Sequence, residues 1–113
     1  AKRLAHRIRQ VARRHGLPRR VLTSPLQRCA AVGHWLKRWG WVHEVDPALR
    51  EMHFGHWDGL RWEQIARQEL DAWCSAFAQH RPGGGENLQG LLERAAAWRP
   101  PLAPVAIVSH GGW

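Results

Sequence analysis

The sequence contains no tyrosine and a single methionine, and Lys2 and Lys37 are its only lysines. Cysteine is nearly as scarce. Cys29 and Cys74 stand far apart, with no CxxC spacing. That excludes a zinc-ribbon pattern and a disulfide framework, and it leaves a reduced thiol at each position. No apolar run approaches the roughly 18 residues of a membrane helix. The first ten residues, AKRLAHRIRQ, lack the apolar stretch of a signal peptide. The expected location is therefore cytoplasmic, with no membrane partner. The formal net charge of +8 comes almost entirely from arginine. Arginine, alanine, glycine, proline and tryptophan all share GC-rich codons, and the cations spread over several helical patterns. No nucleic-acid partner is expected on this basis; the charge suits small anionic substrates.

What is present reads as one globular domain over 1–113, at 44% apolar and 23% charged residues. Leu4, Ile8 and Val11 recur at helical spacing, so 1–15 reads as an amphipathic helix closed by Gly16. Val21-Leu22 is a short strand. Ser24-Pro25 reads as a helix start, with Ser24 capping free amides and Pro25 at the first helical position. The helix then runs to Gly40. Trp41 to Val45 is a second strand, and 46–60 a loop holding Pro47, Gly55 and Gly59. A helix is expected from Arg61 to about Phe77. RPGGGEN (81–87) is a glycine-rich loop, with Asn87 capping a helix to about Trp98. Val105-Ala106-Ile107-Val108 is a continuous apolar run, the pattern of a buried parallel strand. Helices alternating with strands give an α/β class. The chain starts directly in a helix and stops just past a strand, which predicts a domain incomplete at both ends.

Four segments can carry chemistry. His110 follows the last apolar strand, where open α/β sheets bind ligands, and Gly111-Gly112 allow close approach. Arg28 lies one turn into the helix after Ser24, beside amides that favour anions; its guanidinium can grip a phosphate bidentately. Glu51 sits in LREMHFGHWDG (49–59), beside aromatic groups that would desolvate it, as a general acid requires. The glycine loop 82–87 precedes a helix, but it lacks the lysine and hydroxyl of a P-loop. Each segment alone also fits an ordinary turn, cap or surface residue. His53 and His56 suggest no metal site, because three-residue spacing in a glycine-containing loop is a poor ligand frame.

In this order, SPLQR (24–28), LREMHFGHWDG (49–59), PGGGEN (82–87) and VSHGG (108–112) resemble four motifs of the histidine phosphatase (phosphoglycerate-mutase-like) superfamily. The resemblance spans essentially the whole chain. Its second motif, with RWEQI and DAW after it, looks closest to α-ribazole phosphatases of cobalamin synthesis. The resemblance implies a three-layer α/β/α fold with a mostly parallel sheet. It also implies phosphomonoester hydrolysis through a phosphohistidine, without metal or other cofactor, on a small phosphorylated metabolite. By motif, Arg28 would hold the phosphoryl oxygens together with Ser24 and Gly111. His110 would donate to them, and Glu51 would serve as acid and then base.

One family motif is not matched. The family places Arg-His-Gly at the end of an apolar strand, with the histidine as nucleophile. Arg14-His15-Gly16 has that spelling, but VARRHG (11–16) ends a basic amphipathic helix only eight residues before Ser24. The nucleophilic strand is expected to precede Ala1, and the 113 residues are expected to be inactive alone. The rival readings are a phosphate-binding scaffold without activity and a phosphoglycerate-mutase-type phosphotransferase.

Overall fold

A computed structural model describes residues 1–111. Along the expected single domain the chain forms two compact units, one of 1–50 with 98–111 and one of 51–97.

The first unit is an α/β layer. Its elements are α1 (Lys2–His15), β1 (Arg20–Thr23), α2 (Gln27–Arg38), β2 (Val42–Val45) and β3 (Ala106–Val108). The three strands are parallel in the order β2-β1-β3. β1 pairs Val21 with His43 and Ala106, and Thr23 with Val45 and Val108. Crossovers through helices are what parallel neighbours require. The core gathers Ala5 and Ala12 of α1, Cys29, Val32 and Leu36 of α2, Val21, Val108 and Trp41. Both helices thus cover the sheet face that carries Val21. The continuous apolar run of 105–108 predicts a strand buried throughout. Instead Val108 faces that core, while Ile107, on the other face, is 42% exposed.

α1 ends as its sequence demands. Gly16 adopts φ 63°, a left-handed conformation open to glycine without strain, and Leu17 N–H returns to the Ala12 carbonyl at 2.8 Å. Its cations are partly used on α2: Arg9 lies over Trp39 at 4.3 Å and Lys2 over Trp35 at 4.9 Å. α2 differs from expectation. It begins at Gln27, Leu26 is extended at its N-cap, and no side chain caps it. Ser24 bonds the amide of Leu26 instead, and Pro25 lies outside the helix.

On β2, His43 lies against Gly33 of α2, where any Cβ would collide with the imidazole ring. Its Nε2 is 2.7 Å from the hydroxyl of buried Thr23. Burial, then the nearby His34 and Lys37, push the His43 pKa below its ordinary value.

The second unit holds α3 (Arg67–Ser75), α4 (Leu88–Ala97) and short turns over Gly55–Trp57, Trp62–Gln64 and Pro82–Gly84. The helix expected over 61–77 is shorter, because Ile65 and Ala66 are extended and separate the Trp62–Gln64 turn from α3. Asn87 caps α4 as expected, its side-chain oxygen taking the Gly90 amide at 2.7 Å. The glycine loop packs backbone to backbone on 53–57. Glu86 N–H donates to the His53 carbonyl at 2.6 Å, and a Cβ on Gly83 would overlap the Phe54 carbonyl. Gly83 also has φ 65°. Trp73 anchors an aromatic group with Phe54, Trp57, Trp62 and Phe77.

Two outcomes are expected. Gly83→Ala adds a left-handed strain and a backbone overlap, and it should destabilise the protein by about 1–3 kcal/mol in urea unfolding. The depressed His43 pKa means that the unfolded chain binds the proton more readily. Its contribution is fully present above the ordinary histidine value of about 6.5 and is lost as pH falls through the folded value. Unfolding midpoints measured from pH 8 to pH 4 should therefore drop less steeply for His43→Gln than for the parent.

Candidate functional site

The carboxyl ends of β1 and β3 meet in the first unit. Beyond Thr23↔Val108 the pairing continues for one more bond, from Ser24 N–H to the Val108 carbonyl at 3.1 Å. β1 leads through Ser24 and Pro25 into α2, which carries Arg28 in its first turn. β3 leads straight into Ser109 and His110. The two segments lie over 80 residues apart in sequence, and the strand register brings their side chains together.

Arg28 and His110 are paired there, with Nη2 of the guanidinium 3.1 Å from Nδ1 of the imidazole. Arginine only donates, so Nδ1 is the accepting nitrogen. His110 Nε2 lies 2.9 Å from Ser24 Oγ, which also accepts the Leu26 amide at 3.2 Å. Ser24 is fully buried and Arg28 is exposed. Ser109 donates its hydroxyl to the Leu49 carbonyl at 2.6 Å, which pins the backbone just before His110. Gly111 lies in open space, where an added Cβ would meet nothing within 4 Å. Gly112 of the same motif lies outside the described residues.

Sequence reading missed Cys29. Its buried thiol donates to the Ser109 carbonyl at 3.4 Å and lies 3.5 Å from His110 Nε2. Burial raises its pKa, against a smaller downward pull from the Arg28 charge. Successive helical positions differ by about 100° in direction, so Arg28 faces out while Cys29 faces the strand ends. Only the pairing of β3 with β1 shows which residue waits there, and local sequence carries no trace of it.

Glu51 opens the second unit, where its Oε1 accepts the Met52 amide at 2.9 Å. Trp57, buried in the same segment, donates its indole N–H to Glu69 at 3.2 Å. The glycines of 83–85 permit the close packing of that segment. The sequence places loop 82–87 among the segments that can carry chemistry, and the close packing accounts for its glycines. His15, the histidine of the unmatched Arg-His-Gly spelling, is the last residue of α1.

A family model described as "Histidine phosphatase superfamily (branch 1)" matches residues 1–113. Among curated proteins, the metal-independent phosphoserine phosphatase of Arabidopsis thaliana is 30% identical over 107 residues, which cover 84% of this chain and 45% of that protein. Glucosyl-3-phosphoglycerate phosphatase of Mycobacterium tuberculosis is 30% identical over 112 residues, covering 84% of this chain and 50% of that protein. The chain thus spans about half the length of the curated relatives it matches. Among solved structures, native mycobacterial glucosyl-3-phosphoglycerate phosphatase superposes with a TM-score of 0.64 at 30% identity, covering 98% of this chain and 61% of the other. A structure from Thermus thermophilus superposes at 0.62 and 30% identity, covering 85% and 54%.

The contrast between the two cysteines can be measured. Thiolate is the reactive form, and Cys29 is both buried and held protonated, whereas Cys74 is exposed. At pH 8 a thiol reagent should label Cys74 quickly and Cys29 only in denaturant, as read by mass spectrometry. Fast labelling of Cys29 in the folded chain would contradict this account of the site.

Proposed function

Since the chain belongs to the histidine phosphatase superfamily, branch 1, we propose that it forms part of a phosphomonoester hydrolase working through a phosphohistidine. The observation that carries this reading is the Arg28–His110 pair at the joined ends of β1 and β3. An exposed guanidinium beside an imidazole is a suitable receptor for a phosphoryl group. In the proposed cycle a histidine attacks phosphorus, and water then hydrolyses the phosphohistidine. Arg28 holds the phosphoryl oxygens. His110 bonds the same oxygens as charge gathers on them in the transition state. Glu51 protonates the departing oxygen and then takes a proton from the attacking water.

The attacking histidine is not His15. That residue closes a helix, and its glycine serves as the helix cap. We place the nucleophile outside these 113 residues, which then hold the phosphate-binding and acid/base part. The substrate is a small phosphorylated metabolite. α-Ribazole 5′-phosphate is the first candidate, on the strength of the segment LREMHFGHWDG with RWEQI and DAW. A broader sugar-phosphate phosphatase comes next, in keeping with the name of one curated relative, glucosyl-3-phosphoglycerate phosphatase.

Inorganic phosphate binding to the chain, followed by calorimetry, tests the receptor. Arg28→Ala should weaken it roughly tenfold to a hundredfold, the worth of one charge-assisted bond pair. Equal affinity in parent and variant would remove Arg28 from the site. Turnover of p-nitrophenyl phosphate by the 113-residue chain should be absent. Turnover that vanished in both His110→Ala and His15→Ala would overturn the placement of the nucleophile.

A further inference from the structure

We infer that Ser24 is a positioning residue: its hydroxyl accepts the Nε2–H of His110 and so commits Nδ1 as the nitrogen that meets a phosphoryl group. A neutral imidazole carries one N–H. Nδ1 faces the guanidinium of Arg28 at 3.1 Å, and a guanidinium has no acceptor. The proton is therefore on Nε2. An imidazolium in this arrangement would aim a second N–H at a fixed positive charge. Nε2 lies 2.9 Å from Ser24 Oγ, so the serine oxygen accepts.

Ser24 is fit for this task because nothing about it is free to drift. It is fully buried, its amide is bonded to the Val108 carbonyl, and its hydroxyl oxygen also takes the Leu26 amide. The bond to Val108 ties it to the strand that carries His110, so serine and imidazole keep their register. A second neighbour of Nε2 among the described residues is Cys29, whose sulfur lies 3.5 Å from Nε2 and 3.8 Å from Nδ1. A sulfur at that distance is the weaker acceptor, and its own proton goes to the Ser109 carbonyl at 3.4 Å.

For the identity of the ligand this inference rests on the phosphatase reading; the ring assignment rests on geometry alone. A hydrogen phosphate ion brings a P–OH that the unprotonated Nδ1 can accept, while Arg28 donates to the other oxygens. Transfer of that proton to Nδ1 leaves an imidazolium that donates from the same nitrogen to the same oxygen. Ser24 keeps the ring from turning throughout. A hydrogen-bond partner on one ring nitrogen defines the duty of the other.

The test is nitrogen-15 NMR of the histidine rings in the parent chain, with His110 identified by its absence from His110→Gln. At pH 7 and without ligand, His110 should show Nδ1 unprotonated and Nε2 protonated, with a slowly exchanging Nε2–H. Titration with inorganic phosphate should move Nδ1 toward the protonated range and leave Nε2 in place. Movement of Nε2 instead would overturn the inference, and this measurement needs no variant to fold. In Ser24→Ala the slow Nε2–H signal should be lost and phosphate affinity should fall by about threefold to tenfold. Ser24→Thr should restore both, and Cys29→Ala should keep both. Survival of the signal in Ser24→Ala with its loss in Cys29→Ala would assign the role to the thiol. A parent chain that binds no phosphate would overturn the functional reading. The spectra without ligand would still decide the bond between Ser24 and His110.

Discussion

Everything at the candidate site hangs on one backbone hydrogen bond, from Ser24 N–H to the Val108 carbonyl. It extends the β1–β3 ladder one residue past Thr23 and fixes where each chain leaves the sheet. Side chains alternate along a strand, so a slip of one residue would turn His110 and Ser24 away from each other. The neighbouring strand is held at the same level, since Asp46 N–H donates to the Thr23 carbonyl at 2.9 Å. β1 thus lies between its two partners, with Val21, Leu22, Thr23 and Ser24 all buried. Burial on this scale makes its unpaired backbone groups costly, which is why the pairing is so fully used.

From that fixed edge the first turn of α2 does two things at once. Arg28 reaches outward, where its charge stays hydrated and free to meet an anion. Cys29 turns inward against Ser109 and His110, in surroundings that favour its neutral form. Placing the thiol there closes the ring's inner side without adding a charge. A lysine or glutamate in its place would introduce a charge next to His110, and burying that charge would cost more than the contact returns. The close seat of His43 on Gly33 works similarly on the other strand. It fills the gap between α2 and β2 with a ring that burial holds neutral.

Much of this was legible in the chain. Periodicity and a closing glycine gave α1, short apolar runs gave β1 and β3, and Asn87 marked the start of α4 within a residue. The departures have physical causes. Ser24-Pro25 has the composition of a helix start, yet a serine hydroxyl can serve any nearby donor. Here it serves Leu26 N–H and, by its distance, His110. That second partner is 86 residues away and invisible to local pattern. The helix expected over 61–77 was drawn from apolar spacing, and spacing does not reveal that Ile65 and Ala66 are extended. The glycines of loop 82–87 place it among the segments that can carry chemistry. Backbone contact with 53–57 accounts for them, and only the folded chain places those two loops together.

Arg14-His15-Gly16 shows why spelling must be judged with the backbone beneath it. At the end of an apolar strand such a histidine would stand clear of the sheet, with a glycine allowing a phosphate to approach. At the end of α1 the same three residues solve a different problem. Gly16 takes the left-handed conformation that lets Leu17 N–H satisfy the Ala12 carbonyl. Arg13, Arg14 and His15 place positive charge beside the exposed carbonyls of the last turn, which favours the helix. Each residue of the tripeptide is therefore accounted for by the helix end. Arg28 and His110 have no such local explanation, and Ser24 adds to its local bond with Leu26 N–H a contact to His110. Their arrangement follows from two strands paired across most of the chain, and that makes them the better evidence for chemistry.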